Sequence, residues 1–234
     1  MSVDEKHKLI LDHEVTNEVN DIKQLSRMAK RAKKILEVDT VEVLADKGYY
    51  NAVEIKKCVD DGIITYIPKL ANRVSKKYKF PKPKFYNTEF KYDTAKDIYI
   101  CPEGVELTFR NTEKNNGKMT RTYRSERCSS CKVKHECTHN KRGKIIYRWE
   151  HEEILEEMER RVKKNKDKMK RRQGISEHPF GTIKRAFNQG YMLMKGRDKV
   201  GAEMSLTVLA YNIKRTMNIL GIKELITAAD AAAA

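Results

Sequence analysis

The sequence predicts an α/β fold, and three observations predict it. Strand-like apolar runs alternate with helical stripes over the first 70 residues. A Lys-, Tyr- and Cys-rich stretch then breaks the pattern. Long helical stretches resume near residue 150. Strands alternating with helices imply a mostly parallel sheet with helices packed on it.

Each element has its own signal. Leu9 to Val15 reads as a strand, rich in β-formers, partly alternating and stopped by Thr16-Asn17. Ile22 to Leu36 reads as a helix, because Ile22, Leu25, Met28, Ala29, Ala32, Ile35 and Leu36 fall on one stripe. Val41 to Ala45 is a short buried strand that stops at Asp46-Lys47-Gly48-Tyr49. Asn51 N-caps a second helix, Ala52 to Val59, closed by Asp61-Gly62. Ile63 to Ile67 is the next strand, and Pro68 ends it. From Ala71 to about Tyr147 the chain reads as an inserted subdomain with short strand-like pieces such as Asp97 to Ile100. Glu150 to Arg172 reads as one long helix, acidic in its first half and basic in its second, which complements the helix dipole. Ser176 is placed to N-cap a further helix with Glu177 and Pro179 in its first turn. Arg197 to Leu220 is the final helix. The expected division is therefore 1–70, an insertion at 71–147, a helical part at 148–227 and a disordered tail at 228–234.

Composition narrows the partners. Lys and Arg number 49 against 33 Asp and Glu, a formal net charge of +16, and the excess is clustered. Such a chain suits a polyanion, above all nucleic acid. No run approaches the roughly 18 apolar residues of a membrane span, and Met1 to His7 has no signal-peptide core, so the expected location is the cytoplasm, at the nucleoid. Five unevenly spaced cysteines argue for a reducing compartment rather than a disulfide framework.

Four groups of residues could carry chemistry. Asp46 follows a short strand, and ligands gather at the carboxyl ends of strands in α/β sheets; the plainer reading is a turn aspartate before glycine. Glu177 stands among cations, which suits a metal and a phosphate backbone held together; the plainer reading is a first-turn acid favoured by the dipole. Lys163, Lys164, Lys166, Lys168, Lys170, Arg171 and Arg172, with Lys184 and Arg185, bracket it as phosphate-neutralising groups or as a solvated helix face. Cys101, Cys128, Cys131 and Cys137 suit a four-coordinate structural zinc, with His135 and His139 as alternative ligands, or remain reduced thiols; Cys58 reads as a core cysteine.

Leu44 to Asn51, Glu177 to Arg185 and the Cys-x2-Cys insertion together resemble bacterial insertion-sequence transposases of the DDE type. The resemblance spans about Val3 to Ile222 and implies an RNase H-like mixed sheet flanked by helices, with a Cys-containing insertion. It implies that Asp46 corresponds to the second catalytic carboxylate and Glu177 to the third. Lys184 is similar to the lysine of a Tyr-x2-Arg-x3-Glu-x6-Lys signature, whose first two places are here Lys170 and Gln173. The implied chemistry is phosphoryl transfer on DNA with two Mg²⁺ (or Mn²⁺) ions, on transposon ends and target, in a dimeric synaptic complex. The resemblance places a first carboxylate on a strand before Met1, with Asp4 as a fallback, so this chain is expected to lack the first strands and to show little strand transfer by itself. The alternative from another class is a non-catalytic nucleic-acid-binding protein with a zinc knuckle.

Overall fold

The computed structural model describes residues 1–69, 82–115 and 117–233. It is a mixed α/β protein that divides into two compact units: Met1–Leu70 with Ile154–Ala234, and Ala71–Glu153. The start of the expected insertion, 71–81, together with residues 70 and 116 and the last residue of the tail, lies outside the described residues.

The first unit opens with an antiparallel pair, β1 (Ser2–Val3) and β2 (Ile10–Asp12). Helix α1 (Leu25–Ile35) buries Leu25, Ser26, Ala29 and Ala32, while Ile22, Ile35 and Leu36 of the predicted stripe stay exposed. Strand β3 (Val41–Leu44) leads to Asp46, and helix α2 (Ala52–Asp60) follows. Asn51 caps α2 by accepting from Val53 N at 3.0 Å and Glu54 N at 3.4 Å. Gly62, at φ +69, turns the chain into β4 (Ile63–Tyr66), which pairs in parallel with β3 over Val41↔Ile63 to Leu44↔Tyr66. Between α1 and α2 the buried Glu54 carboxylate accepts from Ser26 N and Ser26 Oγ and pairs with Lys57. Cys58 is fully buried, and burial pushes its thiol up to about 12, so it serves the core and not chemistry.

The second unit is a five-stranded antiparallel meander: β5 (Lys91–Asp93), β6 (Ile98–Ile100), β7 (Glu106–Asn115), β8 (Lys118–Arg124) and β9 (Ile145–Trp149), paired in that order. Phe90, Tyr99, Leu107, Tyr123 and Ile146 form its core. Asp97, at φ +54 in the β5–β6 turn, accepts from the Tyr92 and Tyr123 hydroxyls at 2.7 Å each and pairs with Arg121. Between β8 and β9 lies the short helix α3 (Lys134–Cys137).

Two corrections concern the return to the first unit. The expected single helix over 150–172 is two, α4 (Glu152–Lys164) and α5 (Lys166–Gly181). Asn165 makes the break: its backbone leaves helical geometry, and its Nδ2 donates to Arg161 O at 2.8 Å. The predicted helix start at Ser176 is also absent, because α5 runs straight through it and Ser176 Oγ donates back to Gln173 O. Pro179 sits inside α5, and the chain then widens into a π-helical turn over Thr182–Ala186, closed by Phe187 N donating to Thr182 O at 3.1 Å. Proline removes one ladder donor, and a π-turn is a known local response to a disturbed ladder.

Helix α6 (Arg197–Leu220) starts after Gly196 and ends at Gly221, at φ +88 and +93. Its Val208 and Tyr211 pack with Ile10 and Ile183 in the core of the first unit. Asn212 grips β2: its Oδ1 accepts from Ile10 N and its Nδ2 donates to Ile10 O, both at 2.9 Å. The alanine-rich end, expected as a disordered tail, continues as helix α7 (Ile222–Ala233).

Candidate active site and nucleic-acid interface

Asp46 stands where the sequence places it, just past the carboxyl end of β3, in extended backbone. Its Oδ1 accepts from Lys47 N at 2.7 Å, which holds the carboxylate at the head of a 3₁₀ turn, Lys47–Tyr49. The side chain is 56 % exposed, so its charge needs no buried partner.

Helix α5 runs beside this strand end. Lys168 Nζ reaches Glu42 Oε2 at 2.5 Å, and one helical turn on, Arg172 Nη2 reaches Asp46 Oδ1 at 3.9 Å. The Lys168 ammonium, followed by the Tyr66 hydroxyl at 2.8 Å, holds the Glu42 carboxyl below its ordinary value. Arg172 is half-buried, and its Nε has no hydrogen-bond partner among the described residues. Sequence reasoning assigned Arg172 to DNA and missed its pairing with Asp46. The signal was there as matched spacing: two acids four apart in and beyond β3, two cations four apart on α5.

Glu177 lies five residues beyond Arg172 on the same helix, a rise of about 7.5 Å. It is exposed, and Gln173 Nε2 donates to its Oε1 at 2.9 Å. Position 177 is thus mid-helix, and the first-turn dipole reading does not apply to it. Lys170 and Arg171 are exposed on α5, and Lys184 and Arg185 are exposed on the π-turn. Arg171 faces Glu5 at 3.6 Å, whereas no ion pair engages Lys170, Lys184 or Arg185 among the described residues. Asp4, the fallback acid, is used locally in the β1–β2 turn, where it accepts from His7 N.

The oxygen-only character of Asp46 and Glu177 fits Mg²⁺, which takes one or two carboxylates and keeps waters or substrate phosphates for its other positions. No three His, Cys, Asp or Glu side chains among the described residues stand close enough to hold one ion as they are.

In the second unit the four expected cysteines share one neighbourhood without standing close enough to hold an ion as they are. Cys101, Cys128, Cys131 and Cys137 line one small cavity of about 30 Å³, and neither His135 nor His139 lines it. Val105 N donates to Cys101 Sγ at 3.2 Å. Gly143, at φ +89, comes so close that a Cβ there would lie 2.3 Å from Cys128 Cβ. Burial raises the Cys137 thiol and lowers the Lys144 ammonium beside it.

No curated protein and no solved structure matches the chain. The transposase DDE domain family matches residues 100–217, just over half of the chain, a stretch that holds the four clustered cysteines, Glu177 and the basic residues around it but ends short of Asp46 on the N-terminal side. The chain belongs to the transposase DDE domain family.

Proposed function

We propose that the first unit is an RNase H-like core for metal-dependent cleavage and strand transfer of DNA, with Asp46 and Glu177 as its metal-binding carboxylates. The order β1–β2, α1, β3, α2, β4 supports the core, with Asp46 past the third strand. The observation with the most weight is that one helix, α5, brings Arg172 to Asp46 and presents Glu177 five residues later among cations. When bound there, divalent metal would stabilise charge on the phosphoryl oxygens and activate the attacking hydroxyl or water. Lys170, Arg171, Lys184 and Arg185 neutralise backbone phosphates, and Arg172 positions Asp46. Transposases act on DNA; assembly as a dimer on two DNA ends is part of the same proposal.

The test begins with Mn²⁺ titration followed by electron paramagnetic resonance, then nicking of supercoiled DNA in Mn²⁺. Asp46→Asn and Glu177→Gln should each weaken Mn²⁺ binding and remove nicking. Unchanged Mn²⁺ binding in the double variant would overturn the assignment of these two residues.

We also propose that the thiols of Cys101, Cys128, Cys131 and Cys137 draw together on a structural zinc. The meeting of Cys101, after β6, with three cysteines of the β8–β9 connection and the amide donated to Cys101 Sγ support it, since thiolates are the better acceptors. Lys144 would offset part of the negative charge. Zinc at one per chain, lost together with thermal stability in Cys131→Ser, is expected; a zinc-free protein whose melting ignores added zinc sinks it.

A further inference from the structure

The segment between the π-turn and α6 has no role in the site above. Tyr191, Met192, Leu193 and Met194 follow one another there, and they are 74 %, 41 %, 76 % and 48 % exposed. Four consecutive apolar side chains turned to solvent are costly unless something covers them.

The backbone of this segment is held. Glu203 on α6 accepts from Leu193 N at 2.9 Å and from Met194 N at 2.9 Å. Those two amides, Leu193 first, keep its carboxyl below the ordinary value. Gln189 adds a second brace: its N donates to Ile183 O at 3.2 Å, and its Oε1 accepts from Thr207 Oγ1 at 2.6 Å. The tip is therefore apolar outside and fixed underneath.

Its surroundings are cationic. Lys184, Arg185, Lys195, Arg197 and Lys199 flank it, with Asp198 the one acid of that stretch of sequence. Glu203 is spent on the amides. A second copy of the chain would bring its own +16 against these cations, so self-association at this surface is opposed by charge. A DNA strand meets both requirements at once: phosphates face the cations, and an unstacked base offers an apolar face. Met and Leu serve as wedges between base steps, and an aromatic ring is a stacking platform for any base.

We propose that Tyr191 to Met194 form a fixed wedge that enters DNA at an unstacked base, with Tyr191 stacking on that base. This rests on the DNA-binding reading above and adds where the strand is opened.

The experiment uses the full chain and two duplexes labelled with 2-aminopurine, one fully paired and one with a short single-stranded overhang carrying the label. Wild type should change the 2-aminopurine signal of the overhang duplex. Tyr191→Ala should abolish that change and weaken overhang binding about 5- to 150-fold, the range for loss of one base–aromatic stack. Its binding to the paired duplex should move less than twofold. Tyr191→Phe should behave as wild type, and Glu203→Gln should fall between, because the wedge loses its brace. Salt-dependent binding with no 2-aminopurine response, or equal losses on both duplexes, overturns the wedge and leaves the DNA reading standing. No DNA binding at low salt overturns both. A Tyr191-dependent dimer in sedimentation, or Tyr191-dependent binding to anionic vesicles, with overhang binding unaffected by Tyr191→Ala, gives the tip to those partners instead.

Discussion

The guanidinium of Arg172 stands 3.9 Å from the carboxylate of Asp46. A cation so placed keeps the carboxylate oriented, and under the proposed metal role of Asp46 it would compete with the ion for the same oxygen.

Arg172→Gln is therefore expected to raise Mn²⁺ affinity in the absence of DNA. The pair is exposed on the Asp46 side, so the gain is small, about two- to fivefold. DNA cleavage in the same variant should fall, because the acid loses its brace. Mn²⁺ titration and a nicking assay read the two effects separately, and a lowered Mn²⁺ affinity would show that Arg172 builds the site rather than competing for it.

The basic residues divide by how free they are. Lys170, Lys184 and Arg185 should each reduce the slope of log affinity against log salt by about one when replaced by alanine. Arg171→Ala should reduce it less, since Glu5 already faces that guanidinium at 3.6 Å. Fluorescence anisotropy at several salt concentrations gives the slopes, and slopes unchanged from wild type in all four variants would exclude α5 and the π-turn as the phosphate contact.

Asn212 is expected to matter to stability more than its surface chemistry suggests. Asn212→Ala leaves Ile10 N and Ile10 O without partners beside a residue that is 3 % exposed. An unsatisfied buried polar group costs about 1–3 kcal/mol. Urea denaturation should show a loss of that order, and a change under about 0.5 kcal/mol would mean water replaces the amide.

His178 makes the first unit sensitive to acid. The Tyr211 hydroxyl donates to Lys8 O at 2.7 Å, so His178 Nδ1, at 2.9 Å, donates to the hydroxyl. Burial, then the cations of Lys8 and Arg215, hold the imidazole below its ordinary value of 6.5. The unfolded chain thus takes up this proton first, and stability present above about pH 6.5 is lost as pH falls toward the folded value. Urea midpoints at about pH 7.5 and 5.5 should differ in wild type, and by less in His178→Asn.

How much of this was legible depends on where the burial lies. In the first unit, apolar residues repeat with the period of each element, so β3, α2, β4 and α6 fall near their predicted bounds. The meander of the second unit is hidden because its longest strand, β7, buries only Leu107 of its ten residues. The break at Asn165 and the continuity of α5 through Ser176 depend on side-chain to carbonyl bonds that periodicity does not encode. Asp46 and Glu177 could be proposed from context alone, whereas the Arg172 contact needed the fold to bring distant segments together.

The π-turn at Thr182–Ala186 acts as a phase shifter. Glu177 and Lys184 are seven residues apart, and an unbroken α-helix would stack them on one face, since each residue advances about 100°. The wider turn advances less per residue, so it swings Lys184 off that meridian and draws Arg185 toward it. Deleting Ala186, which leaves the seven-residue spacing intact, would restore the α-helical pitch and bring acid and lysine back into line, so the angular relation between carboxylate and cations is set by one spare residue.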